Sequence, residues 1–88
     1  MIEIDITSIP ETTVTVSANE VTKVINVLSF QNVSRGILHW STSELNDTNT
    51  GALVLSTDER VFSVPQTLYL LGTDRKSLAS VHVRSIAL

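Results

Sequence analysis

Ile2, Ile4 and Ile6 alternate with Glu3 and Asp5 in the opening MIEIDIT, and Val14 and Val16 alternate with Thr13, Thr15 and Ser17 soon after. Successive side chains of an extended chain point to opposite faces, so a period of two sorts apolar residues to one side and polar residues to the other. The β-branched residues in both segments lose side-chain freedom in a helix and fit a pleated surface. Each segment reads as a strand with one wet face. Pro10, which has no N–H to give an interior ladder, separates them.

VTKVINVLSF (21–30) is more ambiguous, because Val21, Val24, Ile25 and Leu28 also fall at helical spacing and Ala18 to Glu20 could open a helix. The β-branched content decides for a strand. SFQNVSRG then reads as a loop closed by Gly36. ILHWS (37–41) is a short strand, either buried on both faces or carrying Trp40 to an interface. ELNDTNTG (44–51) is the longest polar loop. Further strands are expected at ALVLS (52–56), at RVFSVP (60–65, ended by Pro65) and at QTLYLLG (66–72). After a charged turn, TDRKS (73–77), the chain closes with ASVHVRSIAL, Val81 and Val83 inward and His82 and Arg84 outward. About eight short strands with turn signals between them predict an all-β fold, a small antiparallel β-sandwich or jelly-roll-like barrel. The 88 residues form a single domain, 1–88.

A core this small is marginal alone, and the chain has no cysteine to supply disulfides or thiolate metal sites. Association with copies of itself or with a larger assembly is the remaining common remedy. The net charge is −3 and the six basic residues are scattered, so the basic stripe that a phosphate backbone demands is missing. Nucleic acid is not an expected partner. The N-terminus lacks the basic region of a signal peptide and no apolar run reaches membrane-spanning length, so the expectation is a soluble chain made in the cytoplasm, with no membrane partner.

Catalysis is not expected: there is no Gly-x-Ser-x-Gly elbow, and His39 and His82 read as strand residues, His82 facing solvent and His39 half-buried or at an interface. NDTNTG echoes the start of a calcium loop but lacks the closing acidic ligand, and a turn rich in Asn, Asp and Gly accounts for it. No cofactor or metal is expected. The sequons at Asn32 and Asn46 match chance in a chain one quarter Ser and Thr. Among the four aromatic residues, Trp40 and Tyr69 are the best interface candidates, since each has a polar edge that needs a partner.

TVTVSANEVTKVI, NVSRGILHW, VFSVP, LYLLGT and ASVHVRSI, taken in order over residues 12 to 84, resemble a class of small phage virion proteins. Arg35-Gly36 matches the family's Arg-Gly strand entry, Tyr69 its aromatic strand and Val83-Arg84 its closing pair. His39-Trp40 stands where the family usually reads Ile-Gln-Asn, and a glycine-rich midsection is missing. The resemblance implies a capsid decoration or cement protein, or a related head or tail accessory, that trimerises and binds the major capsid protein or other virion components. Its location would be the virion. The interface residues expected on this reading are Ile2, Ile4, Ile6, Arg35, Trp40, Tyr69 and Arg84, with residues 1–9 acting as a strand that augments a neighbour's sheet edge. The alternative is a receptor- or glycan-binding module of a phage tail or fibre, with exposed aromatics over a shallow groove.

Overall fold

A computed structural model describes residues 1–73 and 79–85, and within them every regular element is a strand. These are β1 (Ile2–Asp5), β2 (Glu11–Val16), β3 (Thr22–Asn32), β4 (Leu38–Ser41), β5 (Ala52–Val54), β6 (Glu59–Gly72) and β7 (Ala79–Arg84). The all-β expectation holds. Beyond Thr73, the turn expected at 73–77 lies outside the described residues, as do the last three residues of the closing strand.

The hydrogen-bonded order is β2-β7-β3-β6-β4-β5, with β1 joined to β3 off this path. Every pairing is antiparallel except β1 on β3, which is parallel. Two long strands carry the architecture. The first half of β3 pairs with β1 and with the end of β6, whereas its second half pairs with β7 and with the start of β6. The sheet thus folds into a front layer, β1-β3-β6-β4-β5, and a back layer, β2-β7-β3-β6, which share β3 and β6 at a corner.

Both strands break register where they bend. In β3 the ladder slips between Val24 and Val27, and Asn26 sits there at φ 68°. Asparagine tolerates the left-handed region better than a β-branched residue would. In β6 the ladder partners jump from Val61 to Gln66 while β3 advances only from Ser29 to Val27, so Phe62 to Pro65 form a bulge opposite Leu28. This is why two expected strands are one: a proline has no place in a regular central ladder, but a bulge has no amide bond for it to break. The count therefore falls from about eight strands to seven. β3 also runs on through Gln31 and Asn32, which the loop-like composition of SFQNVSRG had concealed.

The core lies between the layers. Ile6, Val14, Val16, Val24, Val27, Phe30, Leu38, Val54, Leu68, Leu70, Val81 and Val83 are its buried members. Val14 and Val16, and Val81 and Val83, are the inward halves of the alternation in β2 and β7. Phe30, Trp40 and Phe62 form an aromatic cluster against this core, with ring centroids 5.3 to 6.1 Å apart.

Candidate functional site

The seven interface candidates do not converge on one surface. β1 lies on β3 within its own chain, and Ile6 is fully buried, so residues 1–9 do not stand free as a donated strand. Of the three isoleucines only Ile2, at 43% exposure, retains substantial open surface. The reason is the alternation itself, which serves the chain's own core before any neighbour's. Arg35 is exposed in the 33–37 connection. Trp40 points inward to Phe30 and Phe62, and its indole Nε1 is buried with no hydrogen-bond partner. Tyr69 lies opposite Lys23 in the front layer, with the ammonium 5.9 Å from the ring centroid. Arg84 stands on the back layer beside Glu11, whose Oε2 lies 3.5 Å from Arg84 Nε and 3.3 Å from His82 Nε2.

The end of β1 is tied down by a polar network. The Asp5 carboxylate accepts from the Thr7 amide at 2.9 Å and from the Thr7 hydroxyl, and the Asn26 side chain donates to that same hydroxyl oxygen. The bonds from Thr7, hydroxyl first and then amide, hold the Asp5 carboxyl below its usual value. One short network therefore fastens β1 to the bend in β3.

A groove of about 470 Å³ opens on the outer face of the front layer. Its floor is Leu71 of β6 and His39 of β4, which are ladder partners, with Ala18 and Val21 at one side. Leu45 and the 46–50 connection form the opposite wall. That connection is held by its own asparagines. Asn46 Oδ1 accepts from the amides of Thr48 and Asn49, and Asn49 bonds to the Glu44 carbonyl and the Gly51 amide. Gly51 closes it at φ 68°, where an added Cβ would lie 2.3 Å from the Trp40 carbonyl oxygen. The asparagines fix the wall's shape from within. By contrast, the side chains of Asn19, His39, Asp47 and Thr50 make no bond within the chain. His39 Nδ1 is buried without a partner, and the residue lines the groove. The residue names gave little warning of this site, since its polar groups come from two separate connections. The available signal was the alternation in β4, which turns His39 outward whenever Leu38 and Trp40 turn inward.

A second feature is the free edge of β2. Among the described strands β2 pairs only with β7, over six residues without a bulge. The Ser85 amide donates to the Pro10 carbonyl at 2.9 Å, and the register places these residues opposite each other. Bonded and non-bonded pairs alternate in an antiparallel ladder, so Thr12, Val14 and Val16 bond to β7. Glu11, Thr13 and Thr15 turn their N–H and C=O groups toward the open side. Ser17 continues the odd series, and its carbonyl accepts from the Gly72 amide at 3.0 Å.

No family model, no curated protein and no solved structure matches the chain. Among the described residues the fold is a small all-β domain with a six-residue open edge along β2 and a groove over His39 and Leu71.

Proposed function

We propose that this chain is a non-catalytic assembly module, joined to its partner by addition of a strand along the open edge of β2. The observation that carries the reading is the row of outward backbone groups at Glu11, Thr13 and Thr15. An unpaired run of this kind accepts another strand readily, and natural edges are normally blunted by lysine, proline or a bulge. The β2 edge has none of these between Glu11 and Val16. The edge of β6 is different, since its bulge and Pro65 interrupt any regular pairing there.

The resemblance to small virion proteins supplies a setting: a decoration or cement protein whose partners are its own copies, as a homotrimer, and the major capsid protein. In such a role each added backbone bond contributes only about 0.5–1.5 kcal/mol, but contacts repeated over a lattice combine by avidity. The N-terminal strand is then part of the scaffold, and β2 takes over the role of the pairing edge.

Thr13→Pro tests this cleanly, because it removes an outward N–H and leaves the β7 ladder intact. Light scattering should give an assembly larger than one chain for the unmodified protein and a monomer for the variant, with the same far-UV circular dichroism. A protein that stays monomeric throughout the micromolar range, or a variant that assembles as well as its parent, would defeat the proposal.

A further inference from the structure

We infer that the groove over His39 and Leu71 is a binding site for a neutral saccharide. Leu71 on the floor and Ala18 and Val21 beside it give the groove an apolar surface, and four polar side chains with no partner inside the chain share the lining: Asn19, His39, Asp47 and Thr50. Asn46 and Asn49 spend their side chains on the backbone of their own connection, whereas these four stay available to a ligand and border a single concavity. Its volume falls within the roughly 300–1,000 Å³ typical of small-molecule sites.

The chemistry of the lining narrows the ligand. Among the described residues no lysine or arginine lines the groove, and the Asp47 carboxylate beside it disfavours an anion. One carboxylate, two side chains able to donate and accept, and an imidazole nitrogen suit vicinal hydroxyls, each of which is both a donor and an acceptor. The apolar floor suits the C–H face of a pyranose ring. A simple metal cation would leave that floor unused and would require more than one acidic oxygen. The wall is also preorganised: the bonds around Asn46 and Asn49 fix the backbone that presents Asp47 and Thr50, which lowers the ordering cost of binding. Trp40 takes no part in this site, since it packs against Phe30 and Phe62.

The test uses the full chain, labelled with nitrogen-15, titrated with the methyl glycosides of galactose, glucose and mannose and with N-acetylglucosamine, alongside a glycan array. At least one sugar should give saturable amide shifts confined to residues 18–21, 39, 45–50 and 71. Asp47→Ala and Leu71→Glu should each weaken that binding by about tenfold or more, the loss of one charged hydrogen bond or of the apolar floor. Asp47 is exposed, so its variant should fold normally and keeps the test decisive if Leu71→Glu does not. Absence of saturable shifts and of array signal, shifts that map to another surface, or an Asp47→Ala variant that binds like its parent would each overturn the assignment.

Discussion

The Asn32 side-chain amide donates to the carbonyl of Gly36 at 2.8 Å while its oxygen accepts from the amide of Ser34 at 3.0 Å, so one buried residue closes the connection from β3 to β4. The same amide reaches the Val54 carbonyl at 3.3 Å, and the Asn32 backbone bonds to Asp58 and Thr57. Asn32 is fully buried and fully satisfied. Asn32→Ala would leave several of those groups unmet and should lower stability by about 2–4 kcal/mol. A urea midpoint unchanged from the parent would contradict this role. The same burial means that the Asn32 sequon is closed to a glycosyl transfer enzyme in the folded chain.

Gly51 and Gly36 should respond in opposite ways to alanine. At Gly51 a Cβ meets positive φ and backbone 2.3 Å away, so Gly51→Ala should destabilise by about 2 kcal/mol or more. At Gly36 a Cβ meets nothing within 4 Å and φ is not in the left-handed region, so Gly36→Ala should change stability by about 0.5 kcal/mol or less. Thermal melts of the pair read the difference directly.

Asp5 should give the fold a mild sensitivity to acid. Its folded-state pKa is lowered by the bonds from Thr7, so the stability it contributes is present above the ordinary carboxylate pKa and is lost as pH falls through the lowered value. Asp5→Asn should therefore reduce stability at neutral pH and flatten the fall on acidification. Urea titrations of parent and variant at neutral pH and near pH 3 would show curves that converge at the acid end. Parallel curves would assign the acid response to other carboxylates.

Ile6 and Ile2 separate the two roles considered for the N-terminal strand. Ile6 belongs to the core at 0% exposure, and Ile6→Ala should cost about 2–5 kcal/mol. Ile2 is 43% exposed, and Ile2→Ala should cost much less. Chemical denaturation distinguishes them. Equal, small effects would mean that β1 is not held on β3 in solution.

The alternation made β1, β2 and β7 legible residue by residue, because each buries one face and its neighbours in sequence enforce the other. Val81 and Val83 turn inward and Arg84 is exposed, as their spacing predicts. The long strands were harder to read. A strand that changes layers halfway buries different faces before and after the bend, so β3 shows neither clean period and β6 reads as two strands divided at Pro65. The candidate site was least legible. Trp40 drew attention as a polar-edged aromatic, but Phe30 and Phe62, distant in sequence, give it an apolar neighbourhood. The groove depends on connections at 18–21 and 45–50 meeting over one face, which only the sheet order determines.

The bond from the Gly72 amide to the Ser17 carbonyl makes β2 a ruler. A strand arriving along that edge finds outward groups at three alternate residues and then a position already taken, so the length of the docked segment is set by the host chain and not by the guest. Two guests differing only beyond that stop should be held alike.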